Sequence, residues 1–134
     1  MRALDDARRD AAARRTVVDE AKKAYEEFLE NIAVPLMRQA TIVLNAAGQV
    51  FAVHTPADSV RLVAENAPLT FIELELDVTR PEPQVIGRVS LTRGRQGLVV
   101  EERPIAKNIA VADLTEEHVS AFLMAEIPKL VMRT

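Results

Sequence analysis

Few side chains in this sequence have the types and spacing that chemistry needs. The chain has two histidines, His54 and His118, and no cysteine. That excludes disulfides, thiolate metal sites, iron–sulfur clusters and a cysteine nucleophile. Neither histidine has a second ligand at metal spacing, so no metal and no cofactor are expected. His118 follows Glu116 and Glu117 in the first turn of a predicted helix, a place where a histidine can act as a general base; the simpler reading is a surface position. Ser59, Ser90 and Ser120 lack the Gly-x-Ser-x-Gly context, and no Ser-x-x-Lys spacing occurs. The four glycines, at 48, 87, 94 and 97, make neither a Gly-x-Gly-x-x-Gly turn nor a Walker loop. Glu73 and Glu75 share one strand face roughly 7 Å apart, a separation compatible with glycosidase chemistry. Arg88 on the next strand makes cross-strand ion pairing the better account. The sequence therefore leans away from an enzyme and names no catalytic residue.

The most suggestive local feature is Arg93-Gly94-Arg95-Gln96-Gly97, a glycine-permitted hairpin turn flanked by guanidinium groups that suit bidentate phosphate contacts. Arg88, Arg103 and Lys107 extend it, giving residues 84–107 a charge of +3 in a chain whose net charge is −3. These five basic residues are the candidates for contact with an anionic ligand or nucleic acid. Against that, a dedicated nucleic-acid binder carries a domain-wide basic excess. The aromatic residues Tyr25, Phe28, Phe51, Phe71 and Phe122 all lie outside the segment, so it offers no stacking platform.

Hydrophobic periodicity predicts the elements that position these groups. Val18, Ala21, Tyr25, Phe28, Leu29, Ile32 and Leu36 recur at three- and four-residue steps among charged residues, an amphipathic helix. Pro35 is expected to kink it, and Gly48 to end it, giving one kinked helix or two successive helices over 16–47. Beyond Gly48 the period falls to two. Segments 49–55, 58–65, 69–78, 84–92 and 97–103 read as strands with breaks too short for parallel crossovers, hence an antiparallel meander. Thr115 is expected to cap a last helix, with Leu114 and Val119 as a hydrophobic staple, and Pro128 to bend or end it. The predicted fold class is α+β, with a kinked N-terminal helix and a C-terminal helix packed on one face of a five-stranded sheet.

Residues 1–15, MRALDDARRDAAARR, read as a charged helical or frayed extension to a single domain over 16–134. Asp5–Arg9 and Asp10–Arg14 are spaced for helical ion pairs. Leu4, Ala7 and Ala11 continue the following stripe and are candidate interface residues that a second subunit would complete. Phe71, on the polar side of its strand, is a fourth, and Val63 and Val99 are expected off the core face with it. Met37, Met124 and Met132 are candidates to line an apolar pocket between sheet and helix.

At 134 residues, 49% hydrophobic and 28% charged, the chain matches a globular domain and not a disordered one. No apolar run approaches the ~20 residues that span a bilayer, and the charged start does not read as a secretory signal. Thirteen arginines against four lysines suggest a bacterial source, and the expected location is cytoplasmic. The functional expectation is a small interaction module, as a homo-oligomer or with another protein. The alternatives are an anion or nucleic-acid contact through the basic hairpin, and apolar small-molecule binding.

Overall fold

The computed structural model describes residues 2–92 and 97–131. Helix α1 (Arg2–Phe28) runs through a π-helical turn at Leu29–Ala33 into α2 (Val34–Ala46). The π turn lies immediately before Pro35, which has no N–H for the Asn31 carbonyl. The ladder widens so that the Val34 N–H donates to the Leu29 carbonyl, five residues back. Gly48, at φ 86°, closes α2 in the left-handed conformation. The Gln49 and Gly48 amides then donate to the carbonyls of Leu44 and Asn45 at 2.8 and 3.1 Å, a Schellman arrangement. The expected extension is thus helical from Arg2, continuous with the helix that enters the domain.

Strands β1 (Phe51–His54), β2 (Ser59–Ala64), β3 (Ala67–Asp77), β4 (Gln84–Thr92) and β5 (Leu98–Pro104) form one antiparallel sheet in the order β1-β2-β3-β4-β5. The β2–β3 turn is tighter than expected. Ala64 pairs with Ala67 across a two-residue turn, and a register shift between Val63 and Ala64 absorbs the irregularity. After a single 3-10 turn at Val111–Asp113, α3 (Glu116–Val131) completes the fold. Leu114 and Val119 are both buried at its start, as a staple requires. Pro128 does not end α3, which continues to Val131.

Register decides which side is dry. Leu74 stands opposite Val60 and Gly87, and Ile72 opposite Leu62 and Val89, all on the buried face that the helices cover. Phe122 of α3 lies directly on Gly87, where any Cβ would collide with its ring. At roughly 25 cal/mol per Å2 of apolar area, this layer is the main source of stability. Val99 pairs with Leu91 on the helix-covered side, correcting its expected place off the core face; Val100, paired with Ser90, is the outward residue. The methionine pocket is likewise corrected. Met37 is fully buried in the core and Met124 is 76% exposed, so the two do not share a cavity. Met132 lies outside the described residues. Among the described residues no helix is long and apolar enough to cross a membrane.

Candidate functional site

The outer sheet face carries one charged or titratable residue per strand in a single row: His54, Arg61, Glu73, Arg88 and Glu102. Glu73, only 3% exposed, sits at its centre. Arg61 reaches Oε2 at 2.8 Å and Arg88 reaches Oε1 at 2.6 Å, while the Ser59 hydroxyl lies 3.2 Å from Oε2. Both oxygens are thus compensated, which allows a carboxylate to remain buried. Arg88 also pairs with Glu102 and Glu75 at 2.7 and 3.2 Å, and these contacts, the Glu102 hydrogen bond foremost, push its pKa above the usual guanidinium range. Glu73 and Glu75 therefore serve cross-strand pairing, the alternative to catalysis anticipated from the sequence. His54 stands exposed at the end of its strand. The Nδ1 of His118 accepts from the Thr115 N–H at 2.9 Å, an N-terminal cap to α3. Among the described residues no three His, Asp or Glu side chains gather as metal ligands.

Among the described residues, the basic candidates Arg88, Arg103 and Lys107 do not converge. Arg88 lies on the outer face among three carboxylates, whereas Arg103, on the adjacent strand β5 one position past Arg88's partner Glu102, belongs to the helix-covered side opposite Gly87. Its guanidinium sits 4.5 Å from the centre of the Phe122 ring and 3.3 Å from Glu126 Oε1. Glu126, 3% exposed, is also held within α3 by Lys129 at 2.8 Å, which raises the Lys129 pKa; the Arg103–Glu126 pair and Lys129–Glu101 at 3.6 Å tie α3 to β5. Lys107 is exposed in the segment after β5. Arg93 and Arg95 lie outside the described residues.

The interface candidates fall on two separate surfaces. Phe71 is half-buried on the outer face beside Val63, with the Arg61 guanidinium 4.1 Å above its ring. Leu4, Ala7 and Ala11 lie on the exposed half of α1, in which every residue from Arg2 to Ala13 is exposed. Arg14 is the first residue of α1 that is not fully exposed. Instead of pairing with Asp10, it donates to the carbonyls of Pro81 and Arg80, each at 2.6 Å, and to that of Val78, clasping the β3–β4 turn. The sequence carries a signal for this residue, since an arginine interrupts an otherwise apolar stripe between Ala11 and Val18.

A groove of about 680 Å3 opens between the end of α1, the π turn and the β1–β2 turn. Leu29, Val34, Pro56 and Leu76 give it apolar walls, and Glu26, Glu30, Asp58 and Glu75 outnumber Lys22 among its charged residues. At its floor the Tyr25 hydroxyl lies 2.6 Å from the Asp58 carbonyl and 3.2 Å from that of Leu74. Burial, then the charges of Glu75, Asp58 and Glu73, push the phenol pKa far above its usual value. The opposite wall turns on Ala57, whose φ of 45° is left-handed, an unusual conformation for a residue with a Cβ. The sequence places Tyr25 in the apolar stripe and no more, because periodicity reports which face a side chain takes and not what meets its polar end. No known protein family, curated protein or solved structure matches this chain.

Proposed function

We propose that this chain is a protein-interaction module that associates with its own copies through the exposed half of α1. The observation that carries the reading is the apolar stripe of that helix. Leu4, 50% exposed, with Ala7 and Ala11, continues in step with Val18, Ala21 and Tyr25, although the domain itself covers only the later residues. A dozen helical residues without tertiary cover are marginal in water. A partner burying the stripe supplies what the domain does not. Sedimentation equilibrium of the full chain beside a Leu4→Glu, Ala7→Glu variant tests this. An oligomer that dissociates in the variant is expected, and a monomeric full chain at every concentration overturns the reading.

A second reading is favoured by the groove beside Tyr25, whose volume lies within the range of small-molecule sites. Its walls and charges suit an apolar molecule bearing a cationic end. Native mass spectrometry of the purified chain checks it, since a retained mass is expected and its absence counts against it.

A further inference from the structure

We infer that the exposed half of α1 in one copy lies antiparallel in the groove beside Tyr25 of a second copy, each arm filling the other's groove around one two-fold axis. The inference rests on the self-association reading and names its surface and register.

Helix geometry supplies the first argument. At 100° per residue, Leu4, Arg8, Ala11 and Arg15 fall within a band about 60° wide, and Lys22, Glu26 and Leu29 fall in the same band one body-length further along. The later residues border the groove on the α1 side. The exposed stripe and the groove are therefore one continuous strip of surface, the first half bare and the second half walled by the β1–β2 turn.

Length and charge supply the second. A two-fold axis between Thr16 and Val17 sets Leu4 of one copy beside Leu29 of the other and Ala11 beside Lys22. The arm, residues 2–13, then runs along residues 20–31, which overlaps the Lys22–Val34 stretch that borders the groove. In this register Arg8 meets Glu26 and Arg15 meets Asp19 on the same flank, and symmetry makes each pair twice, as an isologous contact requires. Arg8, Arg15, Asp19 and Glu26 are all exposed, and among the described residues none has an ion-pair partner. The side of the arm that enters is thus apolar and basic, and the groove that receives it is apolar and acidic. Asp5 and Glu30, and Arg15 and its own symmetry mate beside the axis, approach as like charges at the solvent edge, where screening is strongest, and each Arg15 has Asp19 of the other copy closer in register. The opposite two-fold arrangement, with the arms alone crossed at their middles, would set Arg8 near Arg8 and bury only alanines around one leucine.

The absence of native cysteine permits a direct test. Full-length Arg8→Cys and Glu26→Cys chains, mixed and oxidised, are expected to form a disulfide-linked heterodimer, because the register brings these positions within bridging distance. Arg9→Cys, on the far side of the helix, mixed with Glu26→Cys is expected not to. In parallel, Arg8→Glu is expected to weaken the dimer roughly tenfold through its two symmetric sites, and Glu26→Arg added to the same chain to restore it. A dimer by sedimentation that shows neither the cross-link nor the rescue overturns this register and leaves self-association standing. A chain monomeric throughout overturns both.

Discussion

Gly87→Ala tests the packing that the fold depends on. The glycine lies in a central strand at an ordinary φ, so the backbone accepts alanine; the obstacle is Phe122. A methyl group there would stand 2.7 Å from both Cε atoms of the ring and nearer still to Cζ. Carbon atoms rest about 3.5–4.0 Å apart, so the ring must retreat by roughly 1 Å or more. Phe122 is 1% exposed and has close-packed neighbours behind it. Overpacking of this kind costs about 1–3 kcal/mol, partly offset by about 0.5–1 kcal/mol from removing a flexible glycine from a strand. A net loss of about 1–2 kcal/mol remains. With about 2.1 cal/mol/K of unfolding entropy per residue, a chain of 134 residues should melt about 4–7 °C lower. Calorimetry of Gly87→Ala, Phe122→Leu and the double variant is the assay. The double variant should melt close to Phe122→Leu alone, since the shorter side chain leaves room for the methyl. Gly87→Ala melting at or above the parent temperature, or additive losses in the double variant, would refute the reasoning.

Two further predictions concern charge and pH. Tyr25 is the chain's one tyrosine and there is no tryptophan, so phenolate absorbance reads this group alone. Its folded pKa lies above the unfolded value of about 10, so the stability it contributes is complete below that pH. Stability then declines as pH rises past 10, where only the unfolded chain gives up the proton. Phenolate absorbance should therefore appear together with loss of helical circular dichroism. Tyr25→Phe should flatten the alkaline slope, leaving the smaller part from Lys129, whose ammonium Glu126 holds protonated. A phenol that titrates near 10 in a folded chain would contradict this. Glu73→Gln leaves Arg61 and Arg88 facing a neutral amide. Because those two side chains are 33% and 27% exposed, water recovers part of the loss, and the expected cost is about 1–2 kcal/mol instead of the 3–5 of a fully buried pair. Urea denaturation should show a lower midpoint at unchanged slope, and an unaltered midpoint would mean that the carboxylate does not hold the row together.

Local pattern alone was enough to place the elements, because one periodicity changes to another at Gly48 and each break carries turn residues. The Ile72, Leu74 and Leu76 alternation fixed which side of β3 faces the core. The π turn is half-legible: Pro35 signals a disrupted ladder, but a kink, a break and a widened turn all answer a missing N–H, and packing selects among them. Pro128 shows the same limit, since a proline removes one hydrogen bond and a helix with a buried stripe continues through the gap. The placement of the described basic candidates was hidden for a related reason. Arg88 and Arg103 are close in sequence and similar in chemistry, yet the two-residue period of strands and the antiparallel turn place them on opposite faces.

Sequence by itself determined the fold class and the alternation that gives β3 one dry and one wet face, because these follow from propensity and from the periods of helix and strand; that the N-terminal segment is helical, and not frayed, came with the structure. Only tertiary structure decided the partners of the charged side chains. The Arg14 clasp on the β3–β4 turn, the Arg61–Glu73–Arg88 row and the Tyr25 hydroxyl on the β1–β2 turn each join segments distant in the chain. Hydrogen-bond distance and burial exist only once the sheet has set its register and the helices have closed over one face. The continuity between the exposed stripe of α1 and the groove has the same origin: the helix supplies the strip, and the folded β1–β2 turn gives half of it a wall.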